Sequence, residues 1–243
     1  MRVFETAHDH CVLPGIFLVA RIDGRCFSRL TKETLELEAP YDTRFRDIML
    51  GTAEHLMKTG FNVKLAYMQS DEINLLLSPE ESTFSRKLRK YNSILAGEAS
   101  ASFSLALGRP AAFDCRISQL PTTEDVRNYF RWRSEDALRN ALNSHCYWHY
   151  RKNGLSESAA HQKLLGVSNG QKHDLLFQEA GINFNHLPAW QKRGFAVYWK
   201  SSEKVGVNPK TEKTVISLKS TLHRDLSLPI GEKFDQLIAG FCS

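Results

Sequence analysis

The first half of the chain alternates between two hydrophobic periods, and this alternation limits the possible fold more than any other feature. Ile16–Asp23 is apolar and rich in β-formers and stops at an Asp-Gly turn dipeptide, which predicts a buried strand. From Tyr41 to Thr59, apolar residues recur at spacings of three, four and seven before Gly60. That spacing predicts an amphipathic helix with a glycine just past its end.

The remaining segments of this half complete one pattern. They predict, in order, a strand, a second strand after a short Ser-Asp-Glu hairpin, a helix begun by Ser82 or Thr83, and a last strand, over Phe61–Gln69, Ile73–Leu77, Ser82–Leu107 and Ala112–Ile117. The order β-α-β-β-α-β is that of the ferredoxin-like fold, in which four antiparallel strands carry two helices on one face. We therefore expect an α+β protein.

The second half is predicted to be mainly helical with short strands. The predicted helices run from Thr122 or Thr123 to about Tyr150, and near Ser156–Leu165 and Lys172–Ala180; the predicted strands are Phe195–Lys200 and Thr214–Leu218. We expect residues 1–120 to form the core domain and residues 121–243 to pack on it as part of one integrated unit.

The predicted topology brings two distant carboxylates together. In this fold the carboxyl end of the first strand and the amino end of the third strand share an edge of the sheet. Asp23 lies at the first of these ends and Asp71 at the second. Two aspartates far apart in the sequence thus become neighbours.

A pair of aspartates at such an edge is suited to binding two divalent ions for phosphoryl transfer. Magnesium fits best, because it prefers a few carboxylates together with phosphate oxygens and water. Gly24 lacks a side chain and lets the backbone approach the ions or a triphosphate closely. Taken singly, Asp-Gly is also typical of an ordinary turn and Ser-Asp-Glu of a solvated hairpin tip.

Basic residues crowd the predicted start of the second helix, where the helix dipole disfavours cations. They are Arg86, Lys87, Arg89 and Lys90. One helical face of this segment can hold the triphosphate of a nucleotide, although a solvated basic face explains the pattern equally well.

Composition adds three expectations. A net charge of +5 favours polyanionic partners without requiring them. Five cysteines without a CxxC spacing argue against a disulfide framework and a zinc ribbon. The apolar run from Val12 to Ala20 is broken by Pro14 and Gly15 and is too short to span a bilayer, so we expect a cytoplasmic protein with no membrane contact.

Five segments together resemble the tRNA-His guanylyltransferase family: ARIDGRCFSRL, QSDEINLLL, FDCRI, YFRWRSED and KHDLLFQEAGINFNHLPAWQKRG. The resemblance covers roughly Val3 to Lys200. It implies a polymerase-palm-like catalytic domain that adds nucleotides to the 5′ end of tRNA in the 3′-to-5′ direction. Two Mg²⁺ ions, GTP or another nucleoside triphosphate, and a homotetramer built from dimers are also implied.

The resemblance further implies roles for particular residues. Asp23, Asp71 and Glu72 would be catalytic, and Asp23, Asp71 and the Gly24 backbone would bind the metal ions. The nucleotide would lie on Asp23, Gly24, Arg25, Cys26, Phe27, Ser28, Ser70 and Asp71, with its triphosphate on Arg86, Lys87 and Lys90. The candidate tRNA contacts are Arg127, Arg131, Arg133, Asn140, Lys192 and Arg193, which a solvated face explains equally well.

Three segments depart from the family pattern. Where eukaryotic members carry His-Ile-Asn-Asn-Leu-Tyr-Asn, this chain has Leu-Arg-Asn-Ala-Leu-Asn-Ser over Leu138–Ser144. Ser28 replaces a common histidine, and Ala39-Pro40 replaces a common Lys-Pro pair. The change over Leu138–Ser144 resembles the guanylyltransferase-like branch, which implies template-dependent repair of 5′-truncated tRNA. The changes at Ser28 and Ala39-Pro40 leave open whether ATP activates a 5′-monophosphate and whether guanine is strictly preferred.

Other functions remain open at this level. The chain can instead add one extra 5′ guanosine to tRNA-His, or act as a palm-type nucleotidyl cyclase. A non-catalytic ferredoxin-like RNA-binding module is a third possibility. That class stacks bases on aromatic residues of its central strands, whereas Ile73–Leu77 has none.

Overall fold

The computed structural model describes residues 1–7, 9–31, 37–207 and 214–242. Six strands form one sheet: β1 (Phe17–Gly24), β2 (Val63–Gln69), β3 (Glu72–Leu77), β4 (Phe113–Leu120), β5 (Phe195–Val207) and β6 (Thr214–Asp225). The helices are α1 (Arg2–Thr6), α2 (Phe27–Arg29), α3 (Thr43–Leu56), α4 (Leu88–Leu107), α5 (Thr123–Lys152), α6 (Glu157–Leu164), α7 (Asn169–Ala180), α8 (Ala189–Arg193) and α9 (Glu232–Gly240).

The sheet has the order β4-β1-β3-β2-β5-β6, and every neighbouring pair is antiparallel. Its first four strands have the predicted ferredoxin-like order, which confirms the α+β prediction. β5 pairs with β2, so the second half of the chain extends the sheet of the first half. Asp23 is the register partner of Glu72. The expected shared edge is therefore present.

Each face of the sheet buries its own core. The first core lies under α3 and α4, where Met49, Leu50, Leu95 and Phe103 meet the inward side chains of β1 to β3. The second core lies under α5 and α9 on the opposite face. The end of α5 also packs with α6 and α7 around a small third core that includes Leu142. α5 thus joins the sheet to the helical region.

The start of the second core helix differs from the prediction. The chain follows a 3₁₀ turn over Thr83–Arg86, and α4 begins only at Leu88, with Lys87 as its N-cap. Phe84, Ser85 and Arg86 all have φ between 53° and 57°. A left-handed run cannot belong to a right-handed helix, so Ser82 or Thr83 as its cap was wrong.

Most other boundaries agree with the prediction to within a few residues. α5 begins after Thr122, whose side chain forms a capping box with Asp125. Strand β5 continues past the predicted Lys200 to Val207 and β6 past the predicted Leu218 to Asp225, because the two strands pair with each other along almost their whole length. The helices α1, α2, α8 and α9 were not predicted. Among the helices of the described ranges, none combines the length and hydropathy needed to cross a membrane.

Candidate nucleotidyl transfer site

Three carboxylates meet at the end of β1. Asp23 is the register partner of Glu72 on β3 and of Asp114 on β4, so all three side chains leave the same face of the sheet. Asp71 precedes Glu72 at the turn between β2 and β3. The prediction from sequence included Asp23, Asp71 and Glu72 but missed Asp114, whose position follows from the register of β4.

The charges at this edge are unbalanced. Burial and the Glu72 carboxylate raise the pKa of Asp23. Burial, together with the Asp23 carboxylate, raises the pKa of Asp71 to about 6. A guanidinium nitrogen of Arg116 lies 3.9 Å from Asp23 and 3.2 Å from Asp114, which offsets only part of this repulsion. Such a site is stabilised by a bound cation.

Gly24 packs closely against Asp71. Its backbone N–H donates to the Asp71 carbonyl oxygen at 3.1 Å. A Cβ atom at position 24 would lie 2.9 Å from the Asp71 Oδ2 atom and 2.5 Å from the Phe27 ring. The residue must therefore be glycine for the carboxylate to reach this position.

Gly24→Ala is expected to destabilise the protein by about 1–3 kcal/mol, because Phe27 or Asp71 must move. Thermal unfolding measures this loss. Gly51→Ala is the control, since no atom lies within 4 Å of a Cβ added on α3. A helical glycine replaced by alanine should instead stabilise the protein, by up to about 1 kcal/mol. Equal stabilities of the two variants would contradict this account of Gly24.

Glu72 is held by a buried polar network. Arg133 of α5 donates to both carboxylate oxygens at 2.8 Å, and the Asn74 amide donates to Oε1 at 2.8 Å. The Tyr129 hydroxyl donates in turn to Asn74. These donors hold the Glu72 carboxylate in place as a fixed negative charge beside Asp23. Its predicted catalytic role stays a prediction.

Two clefts meet at Asp71. The first, called here the aromatic cleft, has a volume of about 640 Å³, and its apolar lining includes Phe27, Phe45, Trp148, Trp190 and Phe195. The second, called here the polar cleft, has a volume of about 400 Å³, and its lining includes Asp23, Asp71, Asn140, Asn143 and Gln191. Both clefts contain Pro40, Tyr41, Ser70, Asp71, Ser144 and Trp190. Asp71 can therefore contact ligands in both.

One stripe of α5 forms the wall of both clefts. Asn140, Ser144 and Trp148 follow one another at four-residue spacing and lie along one helical face. The Tyr41 side chain hydrogen-bonds to Ser144, and Lys152 donates to the Ala39 carbonyl at 2.8 Å. The same face thus holds the 37–42 segment over the site.

Comparison with known proteins identifies the family. The family model described as tRNAHis guanylyltransferase matches residues 1–121, and the model described as Thg1 C terminal domain matches residues 124–228. The chain belongs to the tRNAHis guanylyltransferase family. Nucleotidyl transfer, the predicted reaction class, is confirmed with it.

Two curated relatives of the tRNAHis guanylyltransferase family illustrate the likeness. A probable tRNA(His) guanylyltransferase of Drosophila melanogaster is 31% identical over 227 residues, which cover 90% of this chain and 77% of the relative. The tRNA(His) guanylyltransferase of Debaryomyces hansenii is 32% identical over 204 residues, which cover 79% and 77%.

Solved structures of the tRNAHis guanylyltransferase family share the fold. A bacterial tRNA(His) guanylyltransferase (Thg1)-like protein in complex with ATP matches with a TM-score of 0.78 and 27% identity, over 100% of this chain and 97% of that chain. The same kind of protein in complex with GTP matches at 0.76 and 28%, over 100% and 96%. The Saccharomyces cerevisiae enzyme matches at 0.73 and 26%, over 81% and 91%.

The basic segment before α4 lies far from the carboxylates of the same chain, although the family resemblance implied contacts from Arg86, Lys87 and Lys90 to the triphosphate. Arg86 is buried, and its guanidinium donates to four carbonyl groups, including that of Ile16 at 2.8 Å. Ile16 precedes β1, so this segment lies at the sheet edge opposite Asp23, roughly 20 Å away along the strand. Arg86, Lys87 and Lys90 therefore cannot reach a triphosphate held at Asp23 and Asp71 of the same chain. Lys87 pairs instead with Asp9 at 2.7 Å.

The other nucleotide-binding residues implied by the family resemblance lie in different parts of the site. Phe27, Ser28, Ser70 and Asp71 line the aromatic cleft, whereas Asp23 lines the polar cleft. Arg25 and Cys26 form the exposed turn after β1, where Cys26 has φ 60°. Gly24 lies behind Asp71.

The predicted tRNA contacts also divide. Arg133 is buried against Glu72, and Lys192 is buried with its ammonium donating to the Asn185 carbonyl, so neither is available to a tRNA backbone and both predictions were wrong. Arg127 and Arg131 form ion pairs with Glu124 and Asp235. Asn140 lines the polar cleft, and half-buried Arg193 accepts a hydrogen bond from Tyr67 at its carbonyl oxygen.

Proposed function

We propose that this chain adds nucleotides to the 5′ end of tRNA in the 3′-to-5′ direction, and that it repairs 5′-truncated tRNA with the opposite strand as template. The observation that carries the proposal is the meeting of two clefts of different chemistry at Asp71, beside the carboxylates of Asp23 and Asp114. Such addition joins two bound substrates, an incoming nucleotide and a tRNA end.

The aromatic cleft suits the base of the incoming nucleotide. Trp148 and Trp190 supply ring surface, and base stacking on aromatic side chains accepts every base. A cleft that holds a base by stacking leaves its pairing edge to a template strand. The bacterial guanylyltransferase-like relatives solved with ATP and with GTP agree with a site that accepts more than one purine.

The carboxylates suit Mg²⁺. Asp23 and Asp71 provide oxygen ligands with little positive charge around them, and Gly24 leaves room for the Asp71 carboxylate. Bound magnesium would lower the pKa of an attacking hydroxyl and stabilise the leaving phosphate. Within the described ranges no group of three or more His, Cys, Asp or Glu side chains is placed to hold a metal ion by itself, so the proposed ions would need phosphate and water oxygens besides the two aspartates.

The residues of the chain position the reacting groups. Ser70 and Asp71 lie at the junction, where the 3′-hydroxyl of the incoming nucleotide would meet the activated 5′ phosphate of the tRNA. A bond forms between that hydroxyl oxygen and the α-phosphorus of the tRNA 5′ end, the bond from that phosphorus to the leaving pyrophosphate of a 5′-triphosphate end breaks, and the hydroxyl proton passes to water. Arg133 and Glu72 keep the wall behind Asp23 fixed.

Addition of a single guanosine to tRNA-His is the second candidate. The names of the curated relatives favour it. The polar cleft favours templated repair, because Asn143 and Ser144 line it where the motif quoted above has Tyr and Asn. A homotetramer, ATP-dependent 5′ activation and a cytoplasmic location stay predictions.

A 5′-extension assay tests the proposal. Labelled nucleotides and Mg²⁺ are supplied with tRNAs truncated at the 5′ end, each carrying a different opposite nucleotide. We expect the complementary nucleotide to be added in each case, and Asp23→Ala to abolish the addition. Guanosine added whatever the opposite base would favour the second candidate. Cyclic product from ATP or GTP without RNA would indicate a cyclase, and RNA binding without any turnover would indicate a non-catalytic module.

A further inference from the structure

Away from Asp23 and Asp71, where the proposed ions would lie, the described lining of the polar cleft offers no free cation to a phosphate. Four of its lining residues are carboxylates: Asp23, Asp71, Glu72 and Asp136. Within its described lining the one cation is Arg133, which is already bound to Glu72 at 2.8 Å and to Asp136 at 3.1 Å. A polyanion would be repelled here unless a metal ion lay between. The part of the cleft that α5 lines, away from Asp23 and Asp71, therefore suits an uncharged polar group.

Amide and hydroxyl side chains supply the rest of the polar lining. They are Gln69, Ser70, Asn140, Asn143, Ser144 and Gln191. An amide group can donate and accept at the same time, which matches a hydroxyl group that does both. Asn140 and Asn143 lie three positions apart on α5 and face the cleft from the same side.

The side-chain amides of Asn140 and Asn143 on α5 line the polar cleft together with Asp23 and Asp71. Asn143 is half-buried in the wall, and Asn140 donates to Asp136 at 3.3 Å, which leaves its carbonyl oxygen as an acceptor. A nucleotide with its base in the aromatic cleft would place its ribose at the junction formed by Ser70, Asp71 and Ser144. Its sugar hydroxyls would then point toward the amides.

We infer that Asn140 and Asn143 recognise ribose hydroxyls and make the polar cleft selective for ribonucleotides over 2′-deoxyribonucleotides. The inference rests on the proposed function, because it assigns a place to the sugar of a substrate. Two sources have this chemistry, namely the incoming nucleoside triphosphate and the terminal nucleotide of the tRNA. Neither a base edge nor a phosphate is needed for this selectivity.

The test compares ribose with 2′-deoxyribose in two arms. The first arm measures extension with GTP and with 2′-deoxy-GTP on one truncated tRNA. In the second arm the 5′-terminal nucleotide of the tRNA is either ribose or 2′-deoxyribose, and GTP is constant. Wild type should prefer ribose in at least one arm. Asn143→Ala and Asn140→Ala should each reduce that preference about three- to tenfold, since each removes one neutral hydrogen bond.

Controls separate this inference from the proposed function. Asn128→Ala removes an exposed amide of α5 that does not line either cleft and should leave the preference unchanged. Equilibrium binding of the same ribose and deoxyribose pairs needs no turnover, so it tests the inference even if no tRNA is extended. Because Asn140 is exposed, Asn140→Ala should fold normally, and it tests the inference even if Asn143→Ala misfolds. The inference would be overturned if wild type and both variants showed the same ratio of ribose to 2′-deoxyribose substrate used, in both arms of the assay and in binding.

Discussion

Arg133→Ala is expected to destabilise the protein by about 3–5 kcal/mol, the cost of removing one partner of a buried ion pair. Arg133 and Glu72 are 5% and 8% exposed and are joined by two hydrogen bonds of 2.8 Å. Without the guanidinium, the Glu72 carboxylate would stay buried beside Asp23 with only amide donors. Guanidinium denaturation at neutral pH measures the loss.

Arg131→Ala is the matched control for this prediction. Arg131 lies on the same helix and pairs with Asp235 at 2.6 Å, but its side chain is 44% exposed. An ion pair in that setting contributes about 0–1 kcal/mol. If Arg133→Ala cost no more than Arg131→Ala, the buried network would not be what holds α5 against β3.

A double-mutant cycle then tests the pairing itself. Glu72→Gln removes the buried charge while keeping most of the side-chain shape, so Arg133→Ala should cost less in that background. An interaction energy of about 1–3 kcal/mol is expected for two residues in one network. Additive losses would show that each residue acts through other contacts.

The Asp23 and Asp71 pair could be predicted from sequence because it depends on topology alone. Once β1 and β3 were placed, the ferredoxin-like order fixed which of their ends share an edge. Asp114 could not be found in this way. Its place beside Asp23 depends on the register between β1 and β4, and register follows from the packing of whole strands.

The basic residues show where sequence reasoning fails. Arg86 and Arg133 resemble surface cations in the sequence, yet the fold buries one among backbone carbonyls and the other against Glu72. A charge pattern carries no information about burial unless the partner is known. The left-handed run before α4 had no signal either, because Phe84, Ser85 and Arg86 are not residues that favour positive φ.

The clefts also lay beyond sequence analysis. Their walls come from α5, from the 37–42 segment and from α8, which meet only after the second half of the chain has packed on the sheet. The departing segment Leu138–Ser144 could be recognised as unusual. Only the structure separates its cleft-lining members, Asn140, Asn143 and Ser144, from buried Leu142 and exposed Leu138.

Asp71→Asn is expected to abolish nucleotide addition and at the same time to stabilise the metal-free protein. Burial and Asp23 raise the pKa of Asp71 from an ordinary 3.8 to about 6, which corresponds to about 3 kcal/mol against the charged form. A neutral amide avoids that cost at neutral pH. Thermal unfolding in EDTA measures the gain, and exposed Asp174→Asn on α7 is a control that should change stability by less than about 0.5 kcal/mol.

The pH dependence of this gain follows from the raised pKa. Above pH 6 the Asp71 carboxylate is ionised in the folded and the unfolded chain, and the full cost is present. As the pH falls from 6 toward 3.8, the folded protein takes up a proton before the unfolded chain does. The stabilisation by Asp71→Asn should therefore shrink over this range and vanish below it, where both states are protonated.

Magnesium should reverse the order of thermal stability of wild type and Asp71→Asn. A ligand that binds only the folded state raises its stability by an amount that grows with concentration. Wild type at pH 7.5 should therefore gain thermal stability with added Mg²⁺, whereas Asp71→Asn should gain little. The wild-type gain should weaken as the pH falls through 6, because protons then compete with the metal ion for Asp71. A variant that is no more stable than wild type in EDTA, or that responds to Mg²⁺ as wild type does, would mean that the unbalanced charge at this edge is not a metal site.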